Sequence, residues 1–434
     1  MTTGPTGPAG PAAPAAPGER WAGIHWLSVG AVVVVGTAIR LALLPGAGLS
    51  GDLDQFVGWV HHIATKGMTT LYSGTDAGPV TFGPVMAYIW SLLAAIQPAF
   101  ATAIDSSDPG IRMLMKAPAS IADFGLAGLS AYALRDRPRW AVVAVAAILL
   151  HPAVFYVSSW WGQYESIFVL SALAAVVAAV NGRNGVAAAL VAVSLMTKPQ
   201  AIPFLLPFAA WFWATGGWRD LLRAALIGLA VIAVLWLPFL ATGGPAGYLR
   251  NLGTYQGEIF NVLSLRAWNP WWLLQEAAAG GDFIRDDIAF AGPFTLRHIG
   301  YLVTAVLSIA IAWSIVRDAR PRTFIVGLVA SVLVVFTFMT QMHERYAYAA
   351  LPLLTLALPD TRLRWLWLAF SVIFTLNLLA AVPPTAEIAS ALPVSGALGV
   401  LGSVAMTALT VLALVGLRSA GAARTTPRRA PGAG

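Results

Sequence analysis

Cysteine is absent from this chain of 434 residues, which excludes disulfides, thiolate metal ligands and cysteine nucleophiles. Charged side chains are also scarce, at 10% of the residues, against about 25% in an average soluble protein. Hydrophobic residues make up 58%, and the mean hydropathy is +0.74. This composition excludes an ordinary soluble domain and predicts a polytopic membrane protein that has the lipid bilayer as a partner.

The formal net charge of +7 at pH 7 raises the question of a nucleic-acid partner. The Lys and Arg residues, however, lie in short gaps between apolar runs and in the C-terminal tail. Basic residues in such positions set the orientation of membrane helices. We therefore expect no binding of nucleic acid.

Apolar runs cover most of the sequence and predict an all-α fold, a bundle of about 12 transmembrane segments. The N-terminal Ala/Pro/Gly-rich stretch lacks the basic and apolar regions of a signal peptide, so the first helix, predicted from Ile24 to Leu44, should remain as an uncleaved anchor. The sequence predicts a disordered tail at residues 1–20, a single transmembrane domain at 21–417 and a basic disordered tail at 418–434. Within the transmembrane domain, two external loops are predicted at residues 45–83 and 242–295.

The positive charges of the second half indicate the orientation in the cell membrane. Five arginines between apolar runs fall on one side, together with the basic tail: Arg317, Arg320, Arg322, Arg362 and Arg364. An excess of such residues marks the cytoplasmic side. We expect both termini in the cytoplasm, and His343 and the two polar loops at the external face.

The first half allows two arrangements. If residues 185–215 form one helix, the arginine cluster at 135–139 lies outside, against the charge rule. If the same stretch makes two half-length passes broken at Lys198-Pro199, and residues 84–103 do not fully cross, that cluster lies inside. Three prolines between positions 199 and 207 make one straight helix unfavourable, so we prefer the second arrangement.

The first polar loop contains an amphipathic juxtamembrane helix, expected to lie on the membrane surface. Its apolar face contains Leu53, Phe56, Val57, Val60, Ile63 and Ala64. Its polar face contains Asp52, Gln55, Trp59 and His62. Asp52 has two interpretations: a helix N-cap in the capping-box-like Asp52-x-x-Gln55, or a reactive carboxylate. Asp54 is predicted to be a solvated acid of the first turn.

Lys116 and Asp123 interrupt a long apolar run. They lie seven residues apart and therefore share a helix face, but that spacing is too long for a mutual ion pair. Ionisable groups at membrane depth are costly and face a partner or a cavity. We expect each to have another partner, with structural support as the favoured role of Asp123 and snorkelling or phosphate binding as alternatives for Lys116.

Three further clusters carry polar side chains at the ends of apolar runs. They contain Gln163 with Glu165, Lys198 with Gln200, and His343 with Glu344 and Arg345. Plainer interpretations exist for their surroundings: interfacial tryptophans, a proline kink with a snorkelling lysine, and a local Glu-Arg pair. The preferred topology brings all three clusters to the external face beside Asp52, which favours a pocket for a lipid-linked phosphosugar. No second histidine follows His343 at helical spacing, so a zinc motif is excluded.

Four motifs together resemble the GT-C glycosyltransferases, in particular bacterial relatives of the dolichyl-phosphate-glucose- and dolichyl-phosphate-mannose-dependent enzymes. Asp52 followed by Trp59 matches the first-loop pattern of that group. The other motifs are Trp161-Gly162-Gln163-Tyr164-Glu165-Ser166, Lys198-Pro199-Gln200 and Met342-His343-Glu344-Arg345-Tyr346. They occur in order between about residues 50 and 355. The chain departs from the group at Phe82-Gly83-Pro84, where Tyr-Pro-Pro is usual.

The resemblance implies inverting transfer of a hexose from a polyprenyl monophosphate to a lipid, glycan or protein acceptor at the non-cytoplasmic face. Asp52 would be the catalytic base, and mannose is the first candidate for the sugar. By charge and by resemblance, we expect the donor phosphate and sugar to be bound by Lys198, Gln200, His343, Glu344, Arg345, Gln163 and Glu165. Residues that could support the site are Trp59, His62, Lys116 and Asp123. No cofactor and no metal are expected. The main alternative is a transporter or flippase of a glycolipid.

Overall fold

The computed structural model describes residues 25–422. Helices dominate this part of the chain, as predicted. The α-helices are α1 Trp26–Leu43, α2 Ser50–Lys66, α3 Pro84–Ile96, α4 Pro109–Ala133, α5 Pro138–Leu149, α6 Pro152–Phe155, α7 Glu165–Val180, α8 Asn184–Leu195, α9 Leu205–Trp236, α10 Gly244–Thr254, α11 Pro270–Ala279, α12 Leu296–Arg317, α13 Pro321–Phe338, α14 Ala350–Thr355, α15 Thr361–Ala381, α16 Ala386–Ala391 and α17 Gly396–Ala422.

Four very short strands complete the regular structure: β1 Ser264–Leu265, β2 Ala289–Ala291, β3 Phe294–Thr295 and β4 Met342–His343. β1 pairs with β4 in parallel, and β2 pairs with β3 in antiparallel orientation. Single turns of other helix types follow several α-helices, including a π-helical turn at Tyr156–Trp161 and a 3₁₀ helix at Pro199–Phe204. Both turns lie beside predicted site motifs.

Six helical stretches of residues 25–422 are long and apolar enough to cross a membrane, or up to seven if one bent pair counts as a span. They are Trp26–Leu43, Pro199–Thr242, Leu296–Arg317, Pro321–Phe338, Thr361–Ala381 and Gly396–Leu417, and the bent pair is Pro138–Leu149 with Pro152–Trp161. The protein is thus an integral membrane protein. The count of about twelve stays a prediction, because several predicted segments are helices of only 10–17 residues.

The break at Lys198-Pro199 is present, in agreement with the preferred arrangement. α8 ends at Leu195, and α9 begins only after the 3₁₀ helix that Pro199 opens. A second break, at Gly217 with φ 69°, divides the long apolar stretch that contains α9. That stretch has 44 residues, about 66 Å at 1.5 Å per residue, so it is long enough for two passes through a bilayer core of about 30 Å.

The breaks give the bundle two ends. One end carries Asp52, Glu165 and Lys198, and the opposite end carries the α7–α8 turn with Arg183 and the α9 break at Gly217. α7 leads from one end to the other, since its 16 residues extend about 24 Å.

The amphipathic helix α2 is packed on both faces rather than on one. Its predicted apolar face is buried, but so are Trp59 and His62 on the predicted polar face. α3 and the 3₁₀ helices around it cover that second face. Asp52 and Gln55 on the same face stay partly exposed. The helix is therefore amphipathic as predicted, and other parts of the protein cover a portion of its polar face.

The predicted tails fall mostly beyond the described residues. The N-terminal tail, residues 1–20, lies outside them. α17 continues to Ala422, so residues 418–422 of the predicted C-terminal tail are helical, and residues 423–434 lie outside the described part.

Candidate active site

One cavity of about 280 Å³ brings together residues from four distant motifs. α2 contributes Asp52, the turn before α7 contributes Gln163, and the break before α9 contributes Lys198 and Gln200. The segment after α13 contributes His343 and Arg345. The structure therefore brings these predicted site residues together, while their chemical roles stay predictions.

Asp52 is held through one of its two carboxylate oxygens. Its Oδ2 accepts hydrogen bonds from Trp161 Nε1 at 2.9 Å and from Gln163 Nε2 at 2.5 Å. Among the described residues, Oδ1 has no hydrogen-bond partner. α2 begins at Ser50 with Leu49 as its N-cap, so the interpretation of Asp52 as the cap was wrong. The side chain is instead fixed by tertiary contacts and keeps one free oxygen at the cavity.

Asp54 has a different role from Asp52. Its Oδ1 accepts hydrogen bonds from the backbone N–H of Ser106 at 2.8 Å and from the Ser106 hydroxyl at 2.6 Å. These bonds attach α2 to the segment before α4. Asp54 is thus a structural acid rather than the solvated one that was expected, and it is not among the residues that line the cavity.

The two cations of the cavity are paired with buried carboxylates. Lys198 Nζ lies 2.5 Å from Glu165 Oε1, and Arg345 Nε lies 3.4 Å from the same oxygen. Arg345 Nη1 also donates to Glu344 Oε1 at 3.1 Å. Glu165 and Glu344 do not line the cavity but lie behind its wall. They hold the cations in place, which differs from the expected direct contact with the donor.

Unused hydrogen-bonding atoms remain around these ion pairs. Glu165 Oε2, Gln200 Oε1, Arg345 Nε and His343 Nε2 are buried without a hydrogen-bond partner among the described residues. Leaving a buried polar atom unpaired costs about 1–3 kcal/mol. Three of these residues line the cavity and Glu165 lies directly behind its wall, and such a concentration of unpaired atoms is expected where a ligand completes a site.

The contacts of His343 decide its tautomer. Arg345 Nη1 lies 3.3 Å from His343 Nδ1, and a guanidinium can only donate, so Nδ1 must accept and the ring proton is on Nε2. Burial, and next the charge of Arg345, lower the pKa of His343 below 6.5. At neutral pH the ring is therefore neutral and presents an unpaired N–H donor at the cavity.

Glu344 is ionised in this surrounding. Burial acts to raise the pKa of its carboxyl group, but the guanidinium of Arg345, whose Nη1 donates to Oε1 at 3.1 Å, outweighs burial and lowers the pKa. The other carboxylate oxygen lies 3.9 Å from the ring of His343. Ionised Glu344 fixes the guanidinium that in turn fixes the His343 tautomer.

The second polar loop serves as the scaffold of the His343 segment. β1 pairs with β4 so that Leu265 lies opposite His343. Just before β4, Gln341 has a positive φ of 65°, which is strained for a residue other than glycine. Its Nε2 donates to Asp286 Oδ2 at 3.0 Å, and buried Asp286 also pairs with Arg297 at 2.6 Å. The loop thus holds the strained backbone that presents His343.

The four residues expected to support the site are buried, and of these only Trp59 lines the cavity. Trp59 reaches the cavity wall and donates to Gly78 O at 3.2 Å, and His62 contacts the hydroxyl of Thr70. Lys116 donates to Gly46 O at 2.7 Å, so it holds the turn between α1 and α2.

Asp123, the fourth, forms a buried ion pair with Arg40 at 2.7 Å and accepts from two serine hydroxyls. The expectation of separate partners for Lys116 and Asp123 was correct.

The departure at Phe82-Gly83-Pro84 has a structural basis. Phe82 lines the cavity, and Lys198 Nζ lies 5.2 Å from its ring centroid. A Cβ on Gly83 would lie 2.1 Å from Met196 O, so only glycine fits against the break before α9. A tyrosine hydroxyl is absent at position 82, and the cavity offers the ammonium an aromatic face there instead.

Several cavity residues were not predicted. Gln55, Tyr255, Gln256 and Tyr301 line the wall on the side of the second loop and α12. Gln55 donates to the Tyr255 hydroxyl at 2.9 Å, across 200 residues of sequence. Gln55 was visible on the predicted polar face of α2, but no pattern in the sequence marks Tyr255 or Gln256.

The chain is similar to ArnT from Cupriavidus metallidurans, with 14% sequence identity and a TM-score of 0.50 over 92% of this chain and 79% of that one. The chain has the GT-C fold. The ArnT structure was determined with undecaprenyl phosphate bound. No protein-family profile and no curated protein match the sequence.

Proposed function

We propose that this GT-C protein transfers a hexose from a polyprenyl-phosphate donor to the hydroxyl of a lipid, glycan or protein acceptor at the external face of the cell membrane. One observation carries the proposal: Asp52 has one anchored and one free oxygen at the same cavity as Lys198, His343 and Arg345. A base beside a set of cationic and N–H donors suits attack on a sugar with a phosphate leaving group. The ArnT likeness in fold agrees with it.

In the proposed reaction the free oxygen of Asp52 accepts the proton of the acceptor hydroxyl. The hydroxyl oxygen attacks the anomeric carbon, and the bond from that carbon to the phosphate oxygen breaks with its electron pair on the phosphate. The configuration at the anomeric carbon is inverted. Because the leaving phosphate is already ionised, no general acid is required, unlike in the hydrolases that use two carboxylates.

Cations assist by stabilising charge that grows during the reaction. The phosphodiester of the donor carries one negative charge, and the polyprenyl phosphate that leaves carries up to two. Interactions with Lys198, Arg345 and the N–H of His343 therefore strengthen toward the transition state, which is what accelerates a reaction. We place Gln200 beside the phosphate and assign Glu165 and Glu344 to positioning the cations.

The finer assignments remain part of the proposal. Mannose is the first sugar to test, and transfer is expected without added metal. We place the Asp52 cavity at the external face because the arginine clusters of both halves of the chain lie at the opposite end of the bundle, and such clusters favour the cytoplasmic side.

The test is transfer by the purified protein in detergent. The protein is supplied with polyprenyl-phosphate mannose or glucose and a panel of glycolipid acceptors, and products are identified by mass spectrometry. A new glycosidic bond supports the proposal. If the protein reconstituted in liposomes instead moves glycolipid across the bilayer without forming a glycosidic bond, it is a flippase.

A further inference from the structure

A second cavity lies at the opposite end of the bundle, independent of the function proposed above. Its volume is about 690 Å³, and it is formed where the α7–α8 turn meets the break in α9. Residues 182–186 line one side, and Thr215, Gly216, Arg219, Asp220 and Arg223 line the other. The 16 residues of α7 place it about 24 Å from the Asp52 cavity.

The side chains of this cavity are strongly cationic. Arg183, Arg219 and Arg223 are exposed, and within residues 25–417 none of the three guanidinium groups has a hydrogen-bond or ion-pair partner. The single carboxylate of the lining, Asp220, accepts a hydrogen bond from Asn184 Nδ2 at 2.5 Å through its Oδ2. Three arginines against one carboxylate leave the lining with an excess of two positive charges.

A further polar atom indicates that the ligand carries a hydrogen-bond donor as well as negative charge. Asn184 Oδ1 is buried and has no hydrogen-bond partner among the described residues, although its Nδ2 is fixed by Asp220 and by Thr215 at 3.1 Å. A guanidinium-rich cavity binds phosphate, and the amide oxygen accepts from a hydroxyl. A glycerol phosphate headgroup provides both.

The surface next to the cavity suits acyl chains. Val186 on α8, and Leu222 and Leu226 on α9, are exposed apolar residues on the helices that leave the cavity toward the membrane core. Trp213 and Trp218 are exposed on either side of the α9 break, where an aromatic belt marks the membrane interface. A lipid with its headgroup in the cavity therefore has apolar protein beside its chains.

We propose that this cavity binds the phosphate headgroup of an anionic membrane lipid. Basic pockets between transmembrane helices on the cytoplasmic side recognise such headgroups. Each arginine near an anionic membrane surface contributes about 1 kcal/mol, or roughly a fivefold change in affinity. Removal of all three is expected to weaken binding on the order of 100-fold.

The test measures lipid binding by the full-length protein in detergent, through thermal unfolding and native mass spectrometry. Phosphatidylglycerol is expected to raise Tm and to remain bound, whereas phosphatidylcholine with the same acyl chains has a much smaller effect. The variant R183Q/R219Q/R223Q should lose this shift and retain one lipid fewer. Inorganic phosphate is the third ligand: a shift equal to that of the lipid would assign the site to a soluble phosphate instead.

The matched control is R135Q/R137Q/R139Q, which removes the same charge from a different arginine cluster, located where α4 ends and α5 begins. It should keep the phosphatidylglycerol shift. The lysine variant R183K/R219K/R223K keeps the charge and guards against loss of fold; it should keep most of the shift. An equal loss in both glutamine triples, or equal stabilisation by phosphatidylcholine, would overturn the proposal.

Discussion

Replacement of Asp52 by Asn tests the proposed base with little disturbance of the site. Both hydrogen bonds to this side chain end on one oxygen, from Trp161 and Gln163. An asparagine oxygen can accept the same two bonds, and its amide nitrogen then replaces the free oxygen. The variant should therefore fold and bind donor normally but be unable to accept a proton.

General-base catalysis contributes about 10²- to 10⁴-fold, so kcat of Asp52→Asn should fall by that factor with little change in the KM for the donor. The assay uses polyprenyl-phosphate hexose labelled in the sugar and follows the rate at saturating acceptor. Thermal unfolding of the same preparation verifies the fold. A kcat within about threefold of the natural protein, with unchanged Tm, would remove Asp52 from its assigned role.

Asp54→Asn is the matched control, two residues away in the same helix. It weakens the bonds to Ser106, and hydrogen bonds to a charged group contribute about 1.5–3 kcal/mol. Its Tm should fall while kcat of the folded protein stays close to normal. The opposite pattern, with Asp54→Asn inactive and Asp52→Asn active, would exchange the roles of the two acids.

Four further predictions concern the cavity and its support. Lys198→Gln should lower kcat for donor transfer roughly 10- to 100-fold with a smaller change in KM, since its charge acts on the leaving phosphate; an effect on KM alone would limit Lys198 to binding. His343→Gln keeps an N–H donor and should retain far more activity than His343→Leu. Because the pKa of His343 is lowered, the ring is neutral at pH 7.5 to 8.5, so kcat should not fall as the pH rises through that range; a fall that is absent from His343→Gln would indicate a required imidazolium. Gln163→Glu places a second carboxylate against Asp52, so the rise of kcat with pH should move to higher pH; an unchanged profile would contradict the contact. Asp123→Ala leaves Arg40 buried without its partner and should cost about 3–5 kcal/mol of stability, and the double change to Arg40→Met with Asp123→Leu should recover much of the lost Tm.

The sequence predicted the fold class and the meeting of the four motifs because both depend on signals within short segments. Apolar runs reveal membrane helices, and Lys198-Pro199 reveals a break through proline and a charge at membrane depth. The orientation rule then brings the motif-bearing ends together. These steps require no knowledge of which helices touch.

The errors arose where a tertiary contact replaced a local one. Asp52 has the residue type of an N-cap, yet α2 starts at Ser50 without any side-chain cap. Its carboxylate instead accepts hydrogen bonds from Trp161 and Gln163, which lie more than 100 residues further along the chain. Arg40 was overlooked as the partner of Asp123 for the same reason, since 83 residues separate them.

The scaffold of His343 could not be predicted either. β1 and β4 are two residues long each, and their pairing joins Ser264 to Met342 across the whole of α11, α12 and α13. Neither strand has an alternating pattern long enough to recognise. Only the positive φ of Gln341 and Arg266 reveals in the structure that this backbone is held under strain from both sides.

Gln163 shows why the base and the cations are positioned together. Its amide N–H donates to Asp52, which leaves its carbonyl oxygen toward Lys198 Nζ at 3.5 Å. Lys198 is anchored in turn by Glu165, two residues further on. One short segment therefore sets the distance between the proposed base and the proposed phosphate site. An amide suits this position, because its nitrogen donates to a carboxylate while its oxygen accepts from an ammonium.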